Sequence, residues 1–160
     1  MKASDNALKL LIDVECGGNL NACLTAYQCQ AGKWTIGVGN TYYETGSFVK
    51  KGDVITEKRA LELFNNIIPT YERILDKYIF SKLNQNQFDG LISFVYNVPP
   101  HAFSKSKLLM LVNENPFSEE IPKAWKEWIY FTNSKTMQKE ISQGLLNRRE
   151  KEISMYNGIY

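Results

Sequence analysis

Apolar residues recur at Leu8, Leu11 and Ile12, and Glu15 falls at the next position of the same i, i+3, i+4, i+7 series. Ser4 or Asp5 can cap this segment and Gly17-Gly18 can stop it, so the spacing predicts a helix from there to Glu15. Lys9 and Asp13 point elsewhere, whereas Glu15 extends the apolar face. Burying a carboxyl without a partner disfavours its charged form, which is how a glutamate becomes a proton donor near neutral pH. The same position also suits a helix-terminal glutamate that reaches solvent, and the pattern alone leaves both readings open.

From Leu24 to Phe48 the texture changes to Thr, Tyr, Trp, Val and Ile punctuated by glycine. Gln30-Ala31-Gly32-Lys33 separates two short strand-like runs and predicts a hairpin turn, and Gly37 and Gly39 alternating with Ile36 and Val38 suggest a bend. After Thr56 the pattern is helical. Thr56 can cap a segment through Ile68 that Pro69 stops or kinks, with Tyr71, Ile74 and Leu75 continuing the period. Asn84 and Gln87 stand at capping-box spacing before Phe88, Leu91, Ile92 and Val95, and Pro99-Pro100 closes that helix. Further helices are expected over 105–113 after Ser104, over 119–131 after Ser118, and near 141–156. The expected fold is α+β and mostly α, one domain over 1–160, with an N-terminal helix and β region over 1–55, a connecting helix over 56–82 and a helical lobe over 83–160.

Composition narrows the functional classes. A chain of 160 residues with 44% hydrophobic and 22% charged residues is an ordinary globular protein, able to build a core without disulfide staples. A formal net charge of +2 is too mild for a nucleic-acid binder, and no run of about 20 apolar residues suggests stable membrane insertion. Cys16, Cys23 and Cys29 crowd into fourteen consecutive residues, while the one histidine, His101, stands far away and is unplaced, so zinc-type spacings are not met and no metal is expected. Trp125 and Trp128, at i, i+3, read as core packing. Tyr42 and Tyr43 suit either sugar stacking or a half-buried sheet.

The residues then assemble into a recognisable order: Glu15 at a helix end, Leu24-Thr25-Ala26-Tyr27, Cys29, and Gly32-Lys33-Trp34-Thr35-Ile36-Gly37-Val38-Gly39. They are followed by LNQNQFDGLISFVYNV from Leu83 to Val98, AFSKSKLL from Ala102 to Leu109, and GLLNRREKE from Gly144 to Glu152. In this series the sequence resembles the phage-type lysozymes, glycoside hydrolase family 24, over nearly its whole length. The resemblance implies a bilobal lysozyme fold and a muramidase that hydrolyses the β-1,4 bond between N-acetylmuramic acid and N-acetylglucosamine in peptidoglycan. It implies Glu15 as general acid, Cys29 at a position the family fills with Asp or Cys, and Thr35 as the residue that places the attacking water. It also implies Asn97 as an amide-bearing cleft residue and Arg148 as an arginine near the catalytic glutamate. No cofactor and no nucleic-acid partner are implied. The expected protein is a monomer made in the host cytoplasm, reaching the periplasm or cell wall through a holin-like export partner.

The sequence departs from the family pattern in three places. The interval between Glu15 and Cys29 is longer than usual, and the extra residues lie in CGGNLNAC, from Cys16 to Cys23, beside the catalytic glutamate. Cys29 is not a carboxylate. Asn40 stands where the hairpin normally carries a histidine, which removes a structural ion pair. The cysteines allow a Cys16–Cys23 disulfide that would pin the insertion, a Cys23–Cys29 disulfide that would mask the catalytic position, or three ordinary thiols. Arg148-Arg149 lie in a helix where Glu150 and Glu152 nearly cancel their charge, so a solvated face is expected apart from the family match. Two alternatives stay open at this point: a lytic transglycosylase, which needs only one acid, and a degenerate lysozyme acting as a peptidoglycan-binding or scaffolding module.

Overall fold

The computed structural model describes residues 1–29, 32–133 and 135–160. The chain divides into two compact units, one of residues 8–70 and the other of residues 1–7 with 71–160. The described residues are mostly helical with two small antiparallel sheets, as the pattern predicts.

In the unit of residues 8–70, helix α1 (Asp5–Cys16) supplies its later turns. Gly17 and Gly18 end it in the left-handed region, with φ of 61° and 83°, and Gly18 N–H donates back to Ile12 C=O at 3.2 Å. The CGGNLNAC insertion then folds as a 3₁₀ turn, Leu20–Cys23, capped by Asn19 and burying Leu20 and Cys23. Strands β1 (Tyr27–Gln28) and β2 (Trp34–Thr35) pair antiparallel, with Tyr27 opposite Thr35 and Gln28 opposite Trp34. Gln30 and Ala31, the first half of the expected hairpin turn, lie outside the described residues. Ile36, Val49 and Leu63 form the core of this unit, with Trp34, Tyr43 and Ile55 packed against it.

Helix α2 (Glu57–Tyr78) starts at the expected cap, Thr56, whose hydroxyl accepts from Arg59 N–H at 3.1 Å. Pro69 does not end it: the helix runs through the proline to Tyr78, carried by the apolar period on both sides.

In the other unit, α3 (Gln85–Asn97) opens with the expected capping box: Asn84 accepts from Gln87 N–H at 2.9 Å and Gln87 accepts from Asn84 N–H at 3.0 Å. The short α4 (Pro100–Phe103) follows, then α5 (Lys107–Glu114), whose cap is Ser106 rather than Ser104, because the Ser104 hydroxyl is committed to His101 C=O. Two expectations fail here. Helix α6 spans only Ile121–Lys126, and the residues after it form a second hairpin, β3 (Tyr130–Thr132) with β4 (Lys139–Ile141), in a region the pattern assigned to helix. Its strands carry no buried residue, so no alternating apolar face marks them in the sequence.

Helix α7 (Gln143–Tyr156), capped by Ser142, crosses α3 at Gly90. A Cβ on Gly90 would stand 2.9 Å from Glu152 C=O and 3.1 Å from Tyr156 N, so only glycine permits this approach. Trp125 is the buried centre expected of it, edge-on to Phe94 and Tyr156 at centroid distances of 5.5 and 5.2 Å.

Candidate active site

Glu15, Cys29 and Thr35 fall in the unit of residues 8–70, and Asn97 and Arg148 in the other. Glu15 is half-buried in the last turn of α1, where its backbone carbonyl accepts a long contact from Cys23 Sγ at 3.8 Å. Cys29 follows β1, half-buried, and its backbone closes the hairpin: Cys29 N–H donates to Lys33 C=O at 3.0 Å, and Gly32 N–H donates to Cys29 C=O at 2.8 Å. Thr35 is buried on β2, and its hydroxyl donates to Lys33 C=O at 3.1 Å.

Beside Thr35 stands a residue that sequence reasoning passed over. Tyr27 stands directly opposite Thr35, and opposite residues of an antiparallel pair project from one face. Its side chain hydrogen-bonds with that of Cys23 and interacts electrostatically with Cys16 and Glu15. Burial pushes the Tyr27 phenol well above its ordinary range, and the three neighbours push the same way, so it stays protonated. Cys16 is likewise raised, first by burial and then by a hydrogen bond with Cys23. Cys16, Cys23 and Cys29 are all thiols in this structure. Both ends of the insertion are tied to Gly37, just after β2: Cys16 Sγ contacts Gly37 C=O at 3.4 Å, and Cys23 C=O accepts from Gly37 N–H at 2.7 Å. Nothing local in the LTAY run marks Tyr27, because its place depends on the residue across the strand pair.

In the other unit, the expected solvated face of α7 proves to be buried. Arg148, Arg149 and Glu152 are 7%, 0% and 0% exposed. Glu152 accepts from Ser93 Oγ at 2.8 Å, Trp125 Nε1 at 2.8 Å and Arg148 Nε at 3.0 Å, and pairs with Arg149 Nε at 3.1 Å. Arg148 also donates to Ser93 C=O at 3.0 Å. Arg149 donates from Nη2 to Asn97 Oδ1 at 2.8 Å, tying the exposed last residue of α3 to this network. Positions 148, 149, 152, 155 and 156 share one helical face with apolar Met155 and Tyr156, the clue by which their burial was readable. Two arginines on one carboxylate satisfy the rule that buried charges come paired. In the unit of residues 8–70, Tyr42 is exposed, whereas Tyr43 packs against the core and its hydroxyl donates to Asp53 at 2.9 Å. Among the described residues no cluster of His, Cys, Asp and Glu could hold a metal ion.

A family model described as phage lysozyme matches residues 21–152, a span that includes Cys29, Thr35, Asn97 and the Arg148–Glu152 network. The chain belongs to the phage lysozyme family. It is 34% identical to an endolysin of Acyrthosiphon pisum secondary endosymbiont phage 1 over 83% of this chain and 86% of that protein. It spans under half the length of an endolysin of Bacillus phage PZA, with the same identity. Among solved structures it superposes on an endolysin from Escherichia coli O157:H7 phage FAHEc1 with a TM-score of 0.87 at 29% identity, covering 98% of this chain and 93% of that one. It superposes on the muramidase domain of SpmX from Asticaccaulis excentricus with a TM-score of 0.81 at 28% identity and 97% of each chain. The fold expected of this lysozyme is thus the fold observed, and the protein is a peptidoglycan-hydrolysing glycoside hydrolase. Nothing in the relatives or the site favours a transglycosylase or a non-catalytic scaffold.

Proposed function

We propose that this lysozyme cleaves the β-1,4 bond between N-acetylmuramic acid and N-acetylglucosamine, with Glu15 as general acid, Cys29 at the catalytic position the family fills with Asp or Cys, and Thr35 placing the water. The observation that carries the reading is the hairpin itself: Thr35 stands opposite Tyr27 on one face of it, and the Cys29 backbone closes it. Glycosidic cleavage needs a proton on the leaving oxygen and a positioned water at C1. Glu15 supplies the proton. The Thr35 hydroxyl already donates to Lys33 C=O, so toward a water it acts as a hydrogen-bond acceptor that turns an oxygen lone pair to C1. The proton the water sheds on bonding to C1 passes to solvent, which also reprotonates Glu15. Asn97 contacts the substrate in this reading, and Arg148 is held by Glu152 within the same helical unit.

No helix among the described residues is long and apolar enough to cross a membrane. In our reading the enzyme works as a monomer, is made in the host cytoplasm and reaches the wall with a holin-like partner. Reducing-end analysis of digested peptidoglycan tests the reaction: hydrolysis yields free reducing sugars, and anhydro-sugar ends contradict it.

A further inference from the structure

Asn97 is exposed, yet its amide is held at a single orientation by a residue that solvent never reaches. Arg149 is fully buried, paired with both oxygens of Glu152 at 3.1 and 3.2 Å, and its guanidinium lies 4.9 Å from the centre of the Phe94 ring. A guanidinium has donors only, so the atom of Asn97 that meets Arg149 Nη2 at 2.8 Å is Oδ1. The other polar atom, Nδ2, remains a donor. Asn97 lines a cavity of about 560 Å³ whose other walls include Pro99, Trp128, Tyr130, Phe131 and Lys139. With its oxygen engaged by Arg149, Asn97 has its N–H donor left for a ligand of this cavity, whose aromatic and apolar walls are joined by Glu127, Thr132 and Lys139, the mixture of a small-molecule subsite. It matches an acylamido group, which offers one carbonyl acceptor flanked by apolar carbon, and peptidoglycan carries such groups both as sugar acetamido substituents and along its stem peptides.

We propose that Arg149 is a positioning residue that fixes Asn97 as an amide-nitrogen donor for an acylamido carbonyl of peptidoglycan bound in this cavity. The inference rests on the reading of Asn97 as a substrate-contacting residue. Without Arg149 an exposed asparagine turns freely and presents oxygen as often as nitrogen. Held in advance, it binds without a further ordering cost.

Kinetics of the full-length enzyme on solubilised glycan strands test the coupling. Asn97→Ala is expected to raise KM by about five- to tenfold with kcat unchanged, the effect of one hydrogen bond to a bound ligand. Arg149→Lys keeps the charge beside Glu152 and loses the fork, so it is expected to raise KM similarly alone and to add nothing in the Asn97→Ala background. An Arg149→Lys effect of equal size in both backgrounds overturns the proposal, because a merely structural arginine acts independently of Asn97.

A second measurement needs neither Arg149 variant nor turnover. In Glu15→Gln enzyme, the side-chain NH₂ resonances of Asn97, assigned by their loss in Asn97→Ala, are followed while tri-N-acetylchitotriose or N-acetylmuramyl-L-alanyl-D-isoglutamine is added. A shift with the chitotriose assigns the group to the sugars, and a shift with the muramyl dipeptide alone assigns it to the peptide. No shift with either overturns the proposal. If Glu15→Gln still clears peptidoglycan, the catalytic assignment falls while this binding readout stands.

Discussion

Glu152→Gln removes one negative charge from the centre of the α3–α7 interface without changing side-chain volume. The carboxylate there serves Ser93, Trp125, Arg148 and Arg149 at 2.8–3.2 Å and is 0% exposed. Glutamine offers one acceptor oxygen, and its NH₂ must then face donors. If the oxygen stays with Trp125, the NH₂ meets Arg148 and Arg149 Nη2, and only the Ser93 hydroxyl can rotate to accept. Removing one partner of a buried ion pair costs about 3–5 kcal/mol. For a chain of this size that lowers the melting temperature by roughly 6–20 °C. Calorimetric melting at pH 7 measures it, with Glu150→Gln as control: Glu150 is on the same helix but more than half exposed, 3.8 Å from Lys126, and its loss leaves the melting temperature nearly unchanged. Equal shifts for the two variants, or a Glu152→Gln shift under about 2 °C, refute the view that this charge holds the network.

Two further outcomes follow from the unit of residues 8–70. Glu44 is held down to about 2, first by its hydrogen bond with Arg59 and then by its own backbone amide and Asn66. A depressed carboxyl stabilises the fold above its ordinary value of 4.5 and loses that contribution as pH falls toward 2. Wild type is therefore expected to melt above Glu44→Gln at pH 7, with the gap closing near pH 2; a gap independent of pH contradicts the assignment. Cys16 and Cys23 are 7% and 4% exposed, whereas Cys29 is half-buried, so an aromatic disulfide reagent is expected to modify one thiol quickly and the other two only on unfolding. Cys29→Ser should abolish the fast phase, and its persistence refutes the ordering.

Much of the fold was legible because its signals are local. Thr56, the Asn84–Gln87 box and Gly17-Gly18 each satisfy orphan backbone groups within a few residues, and each marks the helix end it predicted. The failures share a cause as well. The β3–β4 hairpin has no buried face, so periodicity had nothing to register, and Pro69 lies in a helix whose apolar stripe outweighs one missing donor. In the proposed site, Glu15, Cys29 and Thr35 are singled out by motif order. Tyr27 and Arg149 are not, because their roles depend on what lies across a strand pair or a helix crossing: Thr35 opposite one, Asn97 beside the other.

The central claim is that Glu15 protonates the leaving group, and turbidity clearing of a peptidoglycan suspension tests it most directly. Wild type should clear the suspension, and Glu15→Gln, melting at the same temperature, should be slower by about a hundred- to ten-thousandfold, the usual weight of a general acid. Clearing by the variant at the wild-type rate would contradict the account.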